Sequence, residues 1–141
     1  MGPGARPPRS EPADRRLSNL AAGLLSALLV TTGTLHFLSP KGFEAIVPRF
    51  LGSPAAWVYA SGGAELTCAV AIAITRTRRH GAVASAVLFI AVFPANIQLA
   101  VSSDSSSHDL LRNPVIAWGR LPLQLPLIAW ALWVARRARP N

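Results

Sequence analysis

Four apolar runs, each long enough to cross a bilayer, constrain this chain more than anything else in it. They cover residues 17–38, 54–75, 81–101 and 114–135, and each is 21 or 22 residues long. At 1.5 Å of rise per residue such a run matches the roughly 30 Å hydrocarbon core of a membrane. Hydrophobic residues make up 51% of the chain and charged residues only 14%. A soluble protein averages about 25% charged, so too little polar surface exists here to cover a water-facing core. Pro54 and Pro114 fall in first-turn positions, where a missing N–H leaves no helix bond unmade. The expected fold is all-α, an integral membrane four-helix bundle with short loops, occupying residues 17–135. Residues 1–16, rich in Pro, Gly and charge, read as a disordered cytoplasmic tail, and residues 136–141 as a basic cytoplasmic tail.

Orientation follows from the arginines. A cleaved signal peptide would need a small-residue cleavage site after the first run and a secreted domain beyond it, and neither is present. Arg6, Arg9, Arg15, Arg16, Arg76, Arg78, Arg79, Arg136, Arg137 and Arg139 flank one side of the predicted spans, and Lys41, Arg49 and Arg112 the other. Ten against three places the first side in the cytoplasm by the positive-inside rule. Both termini are therefore expected inside, in a multi-pass protein of the cell (plasma) membrane. The net charge of +8 is explained by these flanks. No basic stripe interleaved with aromatics indicates a nucleic-acid partner.

Function must rest on the polar residues placed inside the membrane. Glu65 lies eleven residues into the second run, roughly 16 Å deep and near the midplane. Its expected partner is Arg120, about 9 Å deep in the fourth run, with Gln124 one turn further on the same face. Thr32 and His36 share a face of the first run, and Asn96 sits near Gln98 in the third. Pro94 should free a backbone carbonyl one turn earlier, which then needs a local partner. All these groups fall in the outer half, and the inner half is almost purely apolar. Two readings stay open: a buried hydrogen-bond network that fixes helix register, and an outward-facing pocket of His36, Glu65, Asn96, Arg120 and Gln124 centred on Glu65 and Arg120. Three scattered histidines and a single cysteine, Cys68, give no metal-ligand spacing and no disulfide.

Close helix approach is expected at Ala22-x-x-x-Ser26, Gly23-x-x-x-Ala27 and Ala60-x-x-x-Ala64. In the first outer loop, residues 39–53, the spacing of Phe43, Ile46, Val47, Phe50 and Leu51 predicts a short amphipathic helix on the membrane surface or over the bundle.

Taken together, several short motifs resemble those of DoxX-type membrane proteins. They are His36-Phe37-Leu38-Ser39-Pro40 with Phe43 and Ile46-Val47-Pro48, Ser61-Gly62-Gly63-Ala64-Glu65, Phe93-Pro94-Ala95-Asn96 and Arg120-Leu121-Pro122-Leu123-Gln124. The resemblance covers about Leu20 to Ala135. It implies a bacterial inner-membrane bundle in which Glu65, Asn96, Arg120 and Gln124 are signature positions. It also implies a link to membrane-associated redox complexes, the family being named for a subunit of a thiosulfate:quinone oxidoreductase. No flavin, haem or iron–sulfur motif is evident, and one cysteine departs from a dithiol mechanism. The implied role is a non-catalytic or quinone-side subunit, with quinone as the candidate ligand through Arg120, Gln124 and His36. Its partners are then the lipid bilayer and other protein subunits or further copies of the chain. A structural or assembly partner of another membrane protein, or a small-solute transporter using Glu65 and Arg120, are the alternatives.

Overall fold

A computed structural model describes residues 12–103 and 113–138. Arg6, Arg9, Arg112 and Arg139 of the charge count lie outside the described residues, as does the side chain of Arg49. The helices are α1 (Pro12–Leu38), α2 (Pro40–Glu44), α3 (Pro54–Ala73), α4 (Arg78–Ala91), α5 (Phe93–Val101) and α6 (Pro114–Arg137), with a 3-10 turn at Arg49–Leu51. No strand occurs among the described residues. Four helices are long and apolar enough to cross a membrane: α1, α3, α4 with α5, and α6. The third is interrupted at Val92, where Pro94 removes an N–H from the ladder and crowds the carbonyl four residues back.

The chain runs up and down, so one end of the bundle carries the 39–53 connection and the other carries Pro12, Arg137 and the 74–77 turn. We call these the loop end and the terminal end. α1 packs on α3, α3 on α4, and α4 and α5 on α6, while α6 meets α1 more sparsely. Helices α3 and α6 therefore stand across the ring from each other.

The expected irregular tail over residues 1–16 is corrected at residues 12–16, which are the first turns of α1; residues 1–11 lie outside the described part. The apolar run stops at Leu17 but the helix continues, with Asp14 in its first turn facing the favourable end of the helix dipole. Arg137 Nη1 lies 3.8 Å from Asp14 Oδ2 and its guanidinium lies 5.3 Å from the Trp133 ring centroid, tying α1 to α6. The helical part of α6 likewise includes Arg136 and Arg137, the first two residues of the expected basic tail.

The terminal half holds one apolar core shared by all four spans. Leu25, Leu29, Ile72 and Val134 are fully buried in it beside Ala69, Ala82, Ala86 and Ala131. Small residues let the helices approach, and dense van der Waals contact then holds them where hydrocarbon solvent offers no hydrophobic driving force. Cys68 is a free thiol packed in this core. The outward faces are apolar as well: Val87, Ile90, Val115 and Leu125 are exposed. Helices that are apolar all round belong in a membrane.

At the terminal end of α3 the last carbonyls are capped by side chains. Thr77 Oγ1 donates to Ala71 O at 2.8 Å, and Arg78 Nε donates to Ile72 O at 3.0 Å while its Nη1 reaches Asn19 Oδ1 of α1 at 2.7 Å. At the loop end Asn113 accepts from Val115 N at 3.0 Å and so caps α6.

Of the three small-residue pairs, the structure uses the first. Ala22 is buried, and Ser26 Oγ donates to Ala69 O of α3 at 2.8 Å. Gly23, Ala27 and Ala60 face outward instead. The single amphipathic helix expected in 39–53 is replaced by α2 and the 3-10 turn. Val47-Pro48 separates them, since the residue before proline avoids the helical region. Ile46 turns inward and is buried against Leu99, Ala100 and Ala117, whereas Phe50 is exposed.

Candidate functional site

Apart from Ser85, whose hydroxyl donates to Gly81 O within α4 at 2.8 Å, the buried polar side chains gather in the loop-end half, on two separate helix pairs. The first pair is α1 with α3. Thr32 sits one turn before His36 on α1, so the side chains project from one face, and Glu65 meets them from the middle of α3. The Thr32 hydroxyl donates to Glu65 Oε2 at 2.5 Å. His36 Nδ1 lies 2.7 Å from the carbonyl of Thr32; a carbonyl only accepts, so Nδ1 carries the proton of that bond. The same nitrogen is 3.9 Å from Glu65 Oε2. Phe43 of α2 stacks on the His36 ring, with centroids 4.1 Å apart and planes 20° apart, and so roofs the cluster.

Two glycines allow this meeting. Gly33 and Gly62 are where α1 and α3 come closest, and a Cβ built at Gly62 would stand 2.7 Å from His36 Cβ and 3.0 Å from Gly33 O. Each glycine lies three residues before a residue of the cluster, His36 or Glu65. That spacing puts the close approach and the polar contact on the same face.

The second pair is the α4–α5 break with α6. Gln124 is buried, and both ends of its amide are engaged: Asn96 Nδ2 donates to its Oε1 at 2.9 Å, and its Nε2 donates to Phe89 O. Phe89 lies in the turn preceding the break at Val92. The carbonyl that Pro94 deprives of its helical donor is Ile90 O, so the bond from α6 falls one residue earlier than expected, on Phe89 O. Within α6, Pro122 and Pro126 flank Gln124 while the helix remains continuous.

Arg120 lies one turn from Gln124 on the face of Ala117 and Gln124. Its Nη1 is buried and has no hydrogen-bond partner among the described residues, although Arg120 as a whole is only half-buried. The expected pairing of Glu65 with Arg120 is therefore corrected: Glu65 is engaged by Thr32 and His36, and Arg120 stands alone. The reason is the order of the ring. The two residues enter from the same side at depths of roughly 16 Å and 9 Å, a gap a guanidinium could narrow, but α3 and α6 are not neighbours.

Of the five candidate residues, then, His36 joins Glu65, Asn96 joins Gln124, and Arg120 joins neither. Gln98 is exposed and belongs to neither group. The bonds of Glu65, Asn96 and Gln124 sew helices together. What remains for chemistry is a donor-only guanidinium N–H with no acceptor and the Nε2 edge of His36.

A family model described as Domain of unknown function (DUF8561) matches residues 25–135, so the chain belongs to that family. The match takes in the later part of the first span, the second and third spans, nearly all of the fourth, and every residue of both polar groups. Neither the curated proteins nor the solved structures give a match.

Proposed function

We propose that this member of the DUF8561 family is a non-catalytic, quinone-side subunit of a membrane-associated redox complex, as its likeness to DoxX-type proteins implies. It would sit in the plasma membrane with both termini cytoplasmic. The observation that carries the proposal is Arg120 Nη1, a buried donor with no acceptor among the described residues. A guanidinium does not deprotonate in proteins, and a buried donor left unpaired costs about 1–3 kcal/mol. A ligand carbonyl borne on an apolar body and delivered through the bilayer would supply the missing acceptor. Gln124 drops out of the expected trio of quinone contacts because its amide is already engaged at both ends. His36 keeps Nε2 for a second contact, since only Nδ1 is committed. A quinone held there would accept electrons from the catalytic partner; this chain binds and orients it.

Quinone-dependent electron transfer by the purified complex tests the reading. Arg120→Leu should slow it at least ~tenfold, the worth of roughly one charged hydrogen bond. Equal rates for Arg120→Leu and the native chain would remove the role.

The closed bonds of Glu65 and Gln124 favour a second reading, a structural or assembly partner of another membrane protein. Capture from detergent followed by partner identification separates the two, because a redox enzyme among the partners supports the first. Transport through a joint Glu65/Arg120 site has no geometric support, since the two residues are engaged on different helix pairs or not at all.

A further inference from the structure

The terminal end gathers positive charge from three helices onto one short stretch of α1. Asn19 of α1 accepts from Arg78 at the start of α4. One and a half turns nearer the start of α1, Asp14 pairs with Arg137 at the end of α6. These two contacts draw the first turn of α4 and the last turn of α6 against the first turns of α1. Seven arginines then stand at this end among the described residues: Arg15, Arg16, Arg76, Arg78, Arg79, Arg136 and Arg137. Asp14 is the single described carboxylate there, and it is committed to Arg137. Arg15, Arg16, Arg79 and Arg136 are exposed and form no ion pair with any described residue.

The height of this collar matters as much as its charge. Arg137 lies against Trp133, one turn nearer the apolar core, and indole rings favour the membrane interface. An interfacial Trp133 sets the Arg137 guanidinium near the membrane surface, and Arg136 is its neighbour in the same turn. Guanidinium matches phosphate oxygens two bonds at a time, and basic residues beside a span attract anionic lipid.

We infer that the collar of Arg15, Arg16, Arg79 and Arg136 is a binding site for the phosphate of anionic phospholipids in the adjacent leaflet. The site is independent of any ligand at Arg120.

The full chain, purified with equal amounts of phosphatidylglycerol and phosphatidylcholine, tests this by native mass spectrometry of the retained lipid. Phosphatidylglycerol should be retained over phosphatidylcholine by at least ~tenfold at low salt, and the preference should shrink as salt rises. R15Q/R16Q/R79Q/R136Q should bring the two lipids to parity. Lys41→Gln, at the loop end, should leave the preference as it was. The same four positions changed to lysine keep the charge and lose the bidentate geometry, so an intermediate preference is expected. That variant together with the salt series decides the matter if the glutamine variant does not fold. Parity in the native chain, a preference unmoved by salt, or a preference that survives in the folded glutamine variant would overturn the site.

Discussion

Gly62 of α3 faces His36 of α1 with no room for a methyl group between them, since a Cβ on Gly62 would lie 2.7 Å from His36 Cβ. The same added atom would stand 2.9 Å from Phe37 Cε2 and 3.0 Å from the carbonyl of Gly33. One neighbour is backbone and another is the first carbon of its side chain, so neither can swing aside. The position that brings Glu65 to Thr32 thus tolerates no larger side chain, as is also true of Gly81, where a Cβ would lie 2.7 Å from Ala71 Cβ.

Gly62→Ala should separate α1 from α3 and destabilise the bundle by about 1–3 kcal/mol, the usual range for overpacking. Gly63→Ala, one residue on, meets nothing within 4 Å and should be neutral or slightly stabilising. Thermal unfolding of both variants in one detergent makes the comparison. Equal midpoints would show that the helices do not cross where we place them.

Thr32→Val keeps the shape of the side chain and removes the hydroxyl that donates to Glu65. Interhelical bonds of this kind are worth about 0.6 kcal/mol on average and up to about 1.7 kcal/mol, and the loss should fall in that range. Glu65→Gln retains a carbonyl to accept from Thr32, so it should cost less than Thr32→Val. A neutral Thr32→Val would mean that Glu65 is held by something else.

Gln124→Leu should cost more than either. It strips the donor from Phe89 O and the acceptor from Asn96 in one step, and buried groups left unpaired cost about 1–3 kcal/mol each. Because Asn96 and Gln124 act together, Asn96→Leu in the Gln124→Leu background should add little. A double-mutant cycle measures this directly. Strict additivity would contradict the shared bond.

The spans were legible because their cause is local: twenty apolar residues need a bilayer wherever they occur. The apolar terminal half and the polar loop-end half were legible for the same reason. Pairing was not. Glu65 and Arg120 looked close enough in depth for a guanidinium to bridge, but the order of four helices around a ring is settled by contacts along their whole lengths. Nothing in either residue's neighbourhood encodes that order. The tight crossing rests on one glycine from each helix, Gly33 and Gly62, and not on small residues four apart along one helix. The usable signal was a single glycine one turn before a polar residue, at Gly33 before His36 and at Gly62 before Glu65. Pro94 marked the break, but Gln124 bonds Phe89 O, one residue before the carbonyl that the proline frees.

Arg120 gives the prediction with the least ordinary sign. Replacing a residue with a buried polar atom normally destabilises, yet Nη1 of the half-buried Arg120 has no bond to lose among the described residues. Arg120→Met keeps most of the side-chain volume and removes an uncompensated charge, and such replacements are often neutral or stabilising. The ligand-free variant should therefore unfold at or above the native midpoint. Added quinone should raise the native midpoint, because a ligand that binds only the folded state stabilises it by mass action. It should leave the Arg120→Met midpoint where it was. The two measurements separate the possible roles of this residue. A variant that is less stable without ligand would show that Arg120 has an internal partner after all. A variant that still gains stability from quinone would place the ligand elsewhere on the chain.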